Sequence, residues 1–142
     1  MALTARRVVL DTSAYSQMRA GHADVLDFIA AAEMVLMPVT VIGELEAAFE
    51  FGRRSRENRS ILEEFLAEPF VVTLGVTTQV ARTYGRQFAR LRRAGTPIPV
   101  NDLWIAAETL DCGGHLLTLD RHFERVEGLA CTVLEPQGGP VG

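Results

Sequence analysis

Val8-Val9-Leu10-Asp11-Thr12-Ser13, residues 8–13, is the stretch that decides the fold. Three apolar residues lead directly into a carboxylate and two small hydroxyl side chains. This pattern is typical of a short buried strand that ends where a helix begins. Asp11 therefore falls at the carboxyl end of a strand, which is where open α/β sheets place their ligand sites. By itself, Asp11 is as compatible with a helix cap as with a ligand site.

Strands and helices alternate along the rest of the chain. Short apolar or β-branched runs predict five strands, at residues 7–10, 35–37, 70–74, 115–119 and 131–134. Apolar residues at helical spacing predict six helices, at residues 13–19, 23–33, 41–54, 56–68, 77–93 and about ten residues from 102, with a further helical turn at 121–125. This alternation predicts a parallel sheet with helices on both faces.

Turn and capping residues predict where these elements begin and end. Thr40, Ser55 and Asn101 are the expected N-caps of the helices that follow them. We expect residues 1–136 to form a single domain and residues 137–142, which are rich in glycine, to form a flexible tail.

The composition is that of a globular domain. The chain has 142 residues, of which 48% are hydrophobic and 23% charged, and this suits one hydrophobic core. No apolar run approaches the roughly 18–20 residues needed to cross a bilayer. The apolar part of the N-terminus, residues 8–10, is too short for a secretory signal. We therefore expect a cytoplasmic protein.

The charged residues exclude several classes of protein. A net charge of −4 argues against a protein that coats nucleic acid over its whole surface. The arginines nevertheless cluster at residues 53–59 and 82–93, so local phosphate-binding patches remain compatible with the sequence. The chain contains no lysine. This excludes P-loop nucleotide binding, protein-kinase chemistry and lysine Schiff bases.

Four acidic residues follow different strands of the predicted sheet. Asp11 and Asp120 come directly after strands, Glu44 lies in the early turns of a helix, and Asp102 opens another helix. Glu44 also falls among core-facing positions, where a carboxylate is costly unless it is paired or binds a metal. Because strand-to-helix turns of a parallel sheet lie at one edge, we expect these four side chains to converge there.

A cluster of four carboxylates needs protons or a cation to offset its repulsion. His22, His115 and His122 have no mutual spacing suited to a metal and are assigned structural roles. Ligands made only of oxygen favour Mg²⁺ or Mn²⁺, and such sites most often serve phosphoryl chemistry. Each aspartate alone is also explained as a helix cap, so the argument for a metal site rests on their coincidence.

Four motifs resemble the PIN domain, and more closely the VapC ribonuclease toxins of toxin–antitoxin pairs. They cover nearly the whole chain in order, from residue 8 to about 134, and the last two are the more specific. The motifs are Leu10-Asp11-Thr12-Ser13, Thr40-Val41-Ile42-Gly43-Glu44-Leu45, Asn101-Asp102-Leu103-Trp104-Ile105-Ala106-Ala107 and Leu117-Thr118-Leu119-Asp120-Arg121-His122-Phe123.

The resemblance implies a three-layer α/β/α fold with a mostly parallel five-stranded sheet. It implies an Mg²⁺- or Mn²⁺-dependent endoribonuclease that cleaves single-stranded or loop RNA with metal-activated water. The catalytic and metal-binding residues it implies are Asp11, Glu44, Asp102 and Asp120. Ser13 and Thr118 match positions that support such a site by hydrogen bonding. Arg121 is the residue expected to contact the RNA backbone, and no other RNA-binding residue is assigned.

The resemblance also implies a homodimer and an inhibitory VapB-like antitoxin that wraps a peptide over the toxin. The helices at 41–54 and 56–68, joined by an arginine-rich turn, are the expected groove for that peptide. Two alternatives stay open at this point. One is a PIN-like DNA or flap nuclease, although 142 residues leave little room for the helical arches such enzymes carry. The other is a non-catalytic binding module in a toxin–antitoxin regulatory complex.

Overall fold

The computed structural model describes residues 6–137 of the protein. Five strands form one sheet in the order β3-β2-β1-β4-β5, and every neighbouring pair is parallel. The prediction of a five-stranded, mostly parallel sheet is therefore confirmed. The strands are β1 (Arg7–Leu10), β2 (Met34–Pro38), β3 (Val71–Leu74), β4 (His115–Thr118) and β5 (Cys131–Val133).

Helices join the strands and complete a three-layer α/β/α arrangement. Within the described residues they are α1 (Thr12–Arg19), α2 (Ala23–Ala31), α3 (Val39–Phe51), α4 (Ser55–Leu66), α5 (Thr78–Arg93) and α6 (Val100–Cys112). A 3-10 helix, Arg121–Arg125, follows β4. None of these helices is long and apolar enough to cross a membrane. Most of the expected flexible tail, residues 138–142, lies outside the described residues.

The central strand β1 anchors the core. Val8, Val9 and Leu10 are completely buried, between β2 on one side and β4 on the other. Gly114, just before β4, is needed for this packing, because a Cβ atom there would lie 2.6 Å from the Cγ2 atom of Val9. The chain thus places Asp11 at the end of the most constrained strand.

The three predicted helix caps are wrong. Helices α3 and α6 begin directly after Pro38 and Pro99, so Thr40 and Asn101 lie inside their first turns. Ser55 is the first residue of α4 rather than its cap. A proline before a helix leaves the chain extended and supplies no side-chain acceptor, so these helix starts are satisfied in other ways.

The start of α3 is capped by a residue from another helix. Glu108 of α6 is 1% exposed, and its Oε1 atom accepts a 2.5 Å hydrogen bond from the Thr40 hydroxyl. The Thr40 backbone N–H also contacts this carboxyl group. Such an amide in the first turn of a helix is one that a local cap would otherwise satisfy. Glu108 therefore fixes α3 against α6.

Burial makes this cap sensitive to pH. It raises the pKa of Glu108 to about 7, and the two contacts from Thr40 lower it only in part. The Oε2 atom has no hydrogen-bond partner within residues 6–137. The folded protein therefore holds a proton on Glu108 at pH values where the unfolded chain, with a pKa near 4.5, has lost it.

We predict that stability falls as the pH rises from about 5 to about 7, because the unfolded chain has then lost the Glu108 proton that the folded protein must take up again. Glu108→Gln removes this titration, so the free energy of unfolding of the variant should gain on wild type by about 1.4 kcal/mol per pH unit at most in this range. Urea unfolding at several pH values measures the difference. Glu64→Gln, an exposed change of the same chemistry, should show no such trend. Parallel pH profiles for wild type and Glu108→Gln would contradict the assignment.

Candidate active site

The four predicted carboxylates meet at one edge of the sheet. Asp11 follows β1, Asp120 follows the neighbouring strand β4, Glu44 lies on α3 and Asp102 lies on α6. Their proximity is visible in the electrostatics of Asp102. Burial first, then the charges of Asp120, Asp11 and Glu44, raise the pKa of Asp102 to about 6. The structure therefore brings together all four residues that the sequence selects.

Asp11 is held by three donors. Its Oδ1 atom accepts hydrogen bonds from the Ser13 hydroxyl (2.7 Å) and the Ala14 amide (2.8 Å), and its Oδ2 atom accepts one from the Thr118 hydroxyl (2.5 Å). Burial raises the pKa of Asp11, and the three donors act in the opposite direction. Asp11 is thus the N-cap of α1, and of its four or so lone-pair positions about one remains for another ligand.

The hydroxyl groups that hold Asp11 also accept hydrogen bonds from the backbone that follows β4, the neighbouring strand. The Thr118 hydroxyl accepts from the amide of Asp120 (2.9 Å), and the Ser13 hydroxyl accepts from the amide of Leu119 (3.0 Å). Ser13 and Thr118 are the two residues expected to support the site, and both contact Asp11 directly. This network links the ends of β1 and β4 through side chains as well as through the sheet.

Glu44 is oriented by residues that the sequence analysis did not select. Its Oε1 atom accepts a 2.7 Å hydrogen bond from the Thr12 hydroxyl. Its Oε2 atom lies 3.5 Å from the side-chain amide nitrogen of Asn101, a weaker contact. Thr12 directly follows Asp11 in the sequence, and Asn101 directly precedes Asp102. Their position next to these aspartates is therefore the sequence signal that could have identified both residues.

His122, for which the sequence predicts a structural role, lies against two of the four carboxylates. Its Nδ1 atom lies 2.9 Å from Asp120 Oδ1 and 3.4 Å from Asp102 Oδ2. This atom is buried, and neither contact has the geometry of a good hydrogen bond. The 3-10 helix that begins after Asp120 carries the His122 ring to these two carboxylates. Its start is capped by Asp120, whose Oδ1 atom accepts a 2.9 Å hydrogen bond from the His122 amide. No spacing between histidines could have revealed this.

The donor set fits a divalent cation. Ligand atoms of Asp102, Asp120 and His122 all lie within 4.8 Å of one another, and Asp11 and Glu44 lie beside them. Within residues 6–137, no arginine forms an ion pair with any of the four carboxylates. A cation would offset the repulsion that raises the pKa of Asp102, and would give the buried Nδ1 atom of His122 a partner.

Arg121, the expected RNA contact, forms ion pairs with carboxylates outside the pocket. Its guanidinium group lies 3.3 Å from a carboxylate oxygen of Glu124 and 3.5 Å from one of Glu135. Its side chain is exposed, so these ion pairs are weak and do not fix it. The RNA role of Arg121 stays a prediction.

Comparisons with known proteins point to one family. The sequence pattern of the PIN domain matches residues 8–129. Ribonuclease VapC5 of Mycobacterium tuberculosis is 29% identical over 132 residues, which cover 92% of this chain and 95% of that protein. The crystal structure of VapBC-5 from M. tuberculosis, a member of the VapBC family of toxin–antitoxin systems, superposes with a TM-score of 0.68 at 25% identity, covering 92% of this chain and 98% of the other. VapBC2 from Rickettsia felis, bound to a promoter DNA fragment, gives a TM-score of 0.78 at 19% identity over 89% of this chain and 97% of the other.

We predict that Thr118→Val destabilises the protein by about 1–3 kcal/mol, because it leaves the buried Asp11 Oδ2 atom and the Asp120 amide without their partner. Urea unfolding measures the loss. Thr109→Val is the matched control, since Thr109 is equally buried but its hydroxyl donates to the Ile105 carbonyl of its own helix. Equal losses in the free energy of unfolding of both variants would mean that the hydrogen bond to Asp11 stabilises the protein no more than an ordinary buried hydroxyl contact.

Proposed function

Because the chain belongs to the PIN domain family, we propose that it is a metal-dependent endoribonuclease, the toxin of a VapC-type toxin–antitoxin pair. The observation that carries this proposal is the convergence of Asp11, Glu44, Asp102 and Asp120 without a balancing arginine among the described residues. The relative named ribonuclease VapC5, similar over nearly all of both chains, supports RNA as the substrate.

The residues that would hold Mg²⁺ or Mn²⁺ differ in how freely their oxygens can reach it. Asp102 and Asp120 are partly exposed at the pocket and offer the most accessible oxygens. Asp11 has about one lone-pair position left, and Glu44 stands at the edge of the cluster. When bound, the cation would polarise the scissile phosphodiester and lower the pKa of an attacking water.

The chain's own part in the reaction is to keep these ligands rigid. Asp11 cannot turn away from the pocket, because Ser13, Ala14 and Thr118 hold both of its oxygens. The Thr12 hydroxyl does the same for one oxygen of Glu44. The His122 ring sits against both carboxylates, with its Nδ1 atom 3.4 Å from an oxygen of Asp102 and 2.9 Å from one of Asp120. A preorganised site of this kind spends little energy on rearrangement when the substrate arrives.

We predict that Asp102→Asn lowers the rate of Mn²⁺-dependent cleavage of single-stranded RNA by about 100-fold or more, since it removes a central ligand. The variant should keep or gain thermal stability, because it relieves repulsion among the carboxylates. Asp111→Asn, an exposed change on the same helix, should leave cleavage unchanged.

Cleavage is measured with a labelled RNA, with a DNA strand of the same sequence as a second substrate. Full activity of Asp102→Asn, or wild-type cleavage that survives EDTA, would contradict the proposed function. Preference for the DNA strand would favour a DNA nuclease instead.

An RNA substrate and a protein inhibitor both agree with a cytoplasmic location.

An antitoxin peptide fits a groove between α1 and the pair α3 and α4. The groove has a volume of about 310 Å³, and its lining combines apolar residues with a few polar ones: Tyr15, Ser16, Arg19, Leu45, Ala48, Phe49 and Asn58. The expected groove used only the two later helices, and α1 now supplies its other wall. The similar M. tuberculosis structure belongs to the VapBC family of toxin–antitoxin systems, which supports a partner of this kind.

A homodimer fits a second, more apolar surface. Phe88 of α5 and Val100 of α6 are 39% and 53% exposed. Phe88 also lines a cavity of about 230 Å³, together with Leu91, Pro97 and Ile98 among others. Exposed apolar surface of this kind is typical of protein–protein contacts. The face lies on different helices from the antitoxin groove, so the two contacts can be separated by mutation.

We predict that Phe88→Glu yields a monomer in sedimentation experiments, because it places a charge in the apolar contact. We predict that Ala48→Arg prevents co-purification with a co-expressed VapB-like antitoxin, because the arginine side chain fills the groove. Each variant controls for the other: Ala48→Arg should remain dimeric and Phe88→Glu should still bind the partner. A dimeric Phe88→Glu would rule out this dimer face, and a co-purifying Ala48→Arg would rule out the groove.

A further inference from the structure

We propose that single-stranded RNA leaves the acidic pocket along the outer face of α3 and docks on the turn between α3 and α4. We call this turn, residues 51–56, the arginine turn; its sequence is Phe51-Gly52-Arg53-Arg54-Ser55-Arg56. The inference rests on the proposed function, since it names the path of the substrate of that same site.

Helix geometry connects the turn to the pocket. Glu44 and Phe51 are seven residues apart on α3, so they lie on the same face, within about 20° of each other. Seven residues rise by about 10 Å. That distance is about three stacked nucleotides at roughly 3.4 Å each. A strand whose phosphate lies in the pocket therefore reaches the arginine turn without a bend.

The face between these two residues is open. Ala47 lies on the intervening turn of the helix, about 60° around its axis from Glu44 and away from the antitoxin groove, and its side chain is exposed and small. Glu46 and Glu50, the acidic residues of this stretch, are paired with Arg59 at 2.7 Å and 2.9 Å. The repulsion that they would exert on a phosphate backbone is therefore partly balanced.

The arginine turn has the chemistry that single-stranded RNA requires. Phe51 is 93% exposed, more than any other large apolar residue of the described part of the chain, and offers a flat surface on which a base can stack. Arg53, Arg54 and Arg56 are exposed and form no ion pair within residues 6–137. They line a shallow concavity of about 680 Å³. In a chain of net charge −4, three unpaired cations beside a bare aromatic ring complement a polyanion with unstacked bases.

This surface differs from the groove assigned to the antitoxin. That groove is walled by three helices and contains the buried side chains of Tyr15, Leu45 and Phe49, as a peptide's apolar anchors would require. The arginine turn has no comparable wall and only one ring. Because the arginine turn is positively charged and has no apolar cleft, we assign it to RNA rather than to a protein partner.

The test measures the affinity for a fluorescein-labelled 12-nucleotide single-stranded RNA by fluorescence anisotropy, with EDTA present so that the probe stays intact. Phe51→Ala should weaken binding by about fivefold or more through the lost stacking. Arg53→Gln/Arg54→Gln/Arg56→Gln should weaken it further and reduce the slope of log Kd against log salt by about 0.7 per lost phosphate contact.

Matched variants separate this surface from general effects of charge and exposure. Phe70→Ala removes another exposed phenylalanine, at the opposite end of the sheet, and Arg82→Gln/Arg86→Gln/Arg93→Gln removes the same charge from α5. Both should bind RNA like wild type. Wild-type affinity in the Phe51 and triple-arginine variants, or equal losses in the controls, would overturn the proposal.

The outcome is distinct from a failure of the proposed function. A wild-type protein that binds the RNA through the arginine turn but never cleaves it with Mn²⁺ would refute the nuclease and keep the surface. A wild-type protein that cleaves RNA with no loss in the Phe51 variant would do the reverse. Loss of antitoxin binding, with RNA binding intact, would assign the turn to the protein partner and overturn the inference.

Discussion

The hydrogen bond from Thr118 to Asp11 joins the ends of the two strands on which the site is built. It links residues 107 positions apart and lies where β1 and β4 run side by side in the middle of the sheet. Asp11 is buried, and a buried carboxylate without donors would be costly. The donors allow the chain to place a charge in its core, and the parallel sheet brings the other acidic residues to the same edge.

Hydrogen-bond donors hold the carboxylates of the site in place, while the repulsion between these carboxylates destabilises it. Burial raises the pKa of Asp102, and the nearby charges of Asp120, Asp11 and Glu44 raise it further. The hydroxyl groups of Ser13, Thr118 and Thr12 stabilise Asp11 and Glu44, and no arginine of the described residues pairs with them. Such an arrangement leaves the pocket ready for a cation, whereas an internal salt bridge would have occupied the same oxygens.

The relative position of α3 and α6 matters for the same reason. Thr40 meets Glu108 at one end of their contact, and Glu44 meets Asn101 at the other, so the two helices run in opposite directions. The buried contact supplies the cap that Pro38 cannot. It thereby sets where Glu44 stands relative to Asp102. Beyond the pocket, α3 continues to the arginine turn, so one helix carries a carboxylate of the site and the proposed path of the RNA.

The sequence by itself determined the order and type of every strand and helix, because apolar periodicity and strand-end carboxylates are local signals. It also selected the four acidic residues, since each follows its own strand in a parallel sheet. Only the tertiary structure decided which donors hold them. The contacts of Thr12 with Glu44, and of Thr40 with Glu108, join residues 32 and 68 positions apart. The place of His122 depends on the packing of a 3-10 turn against α6. Such contacts follow from how elements pack, which no local pattern encodes, so they appear only once the chain is folded.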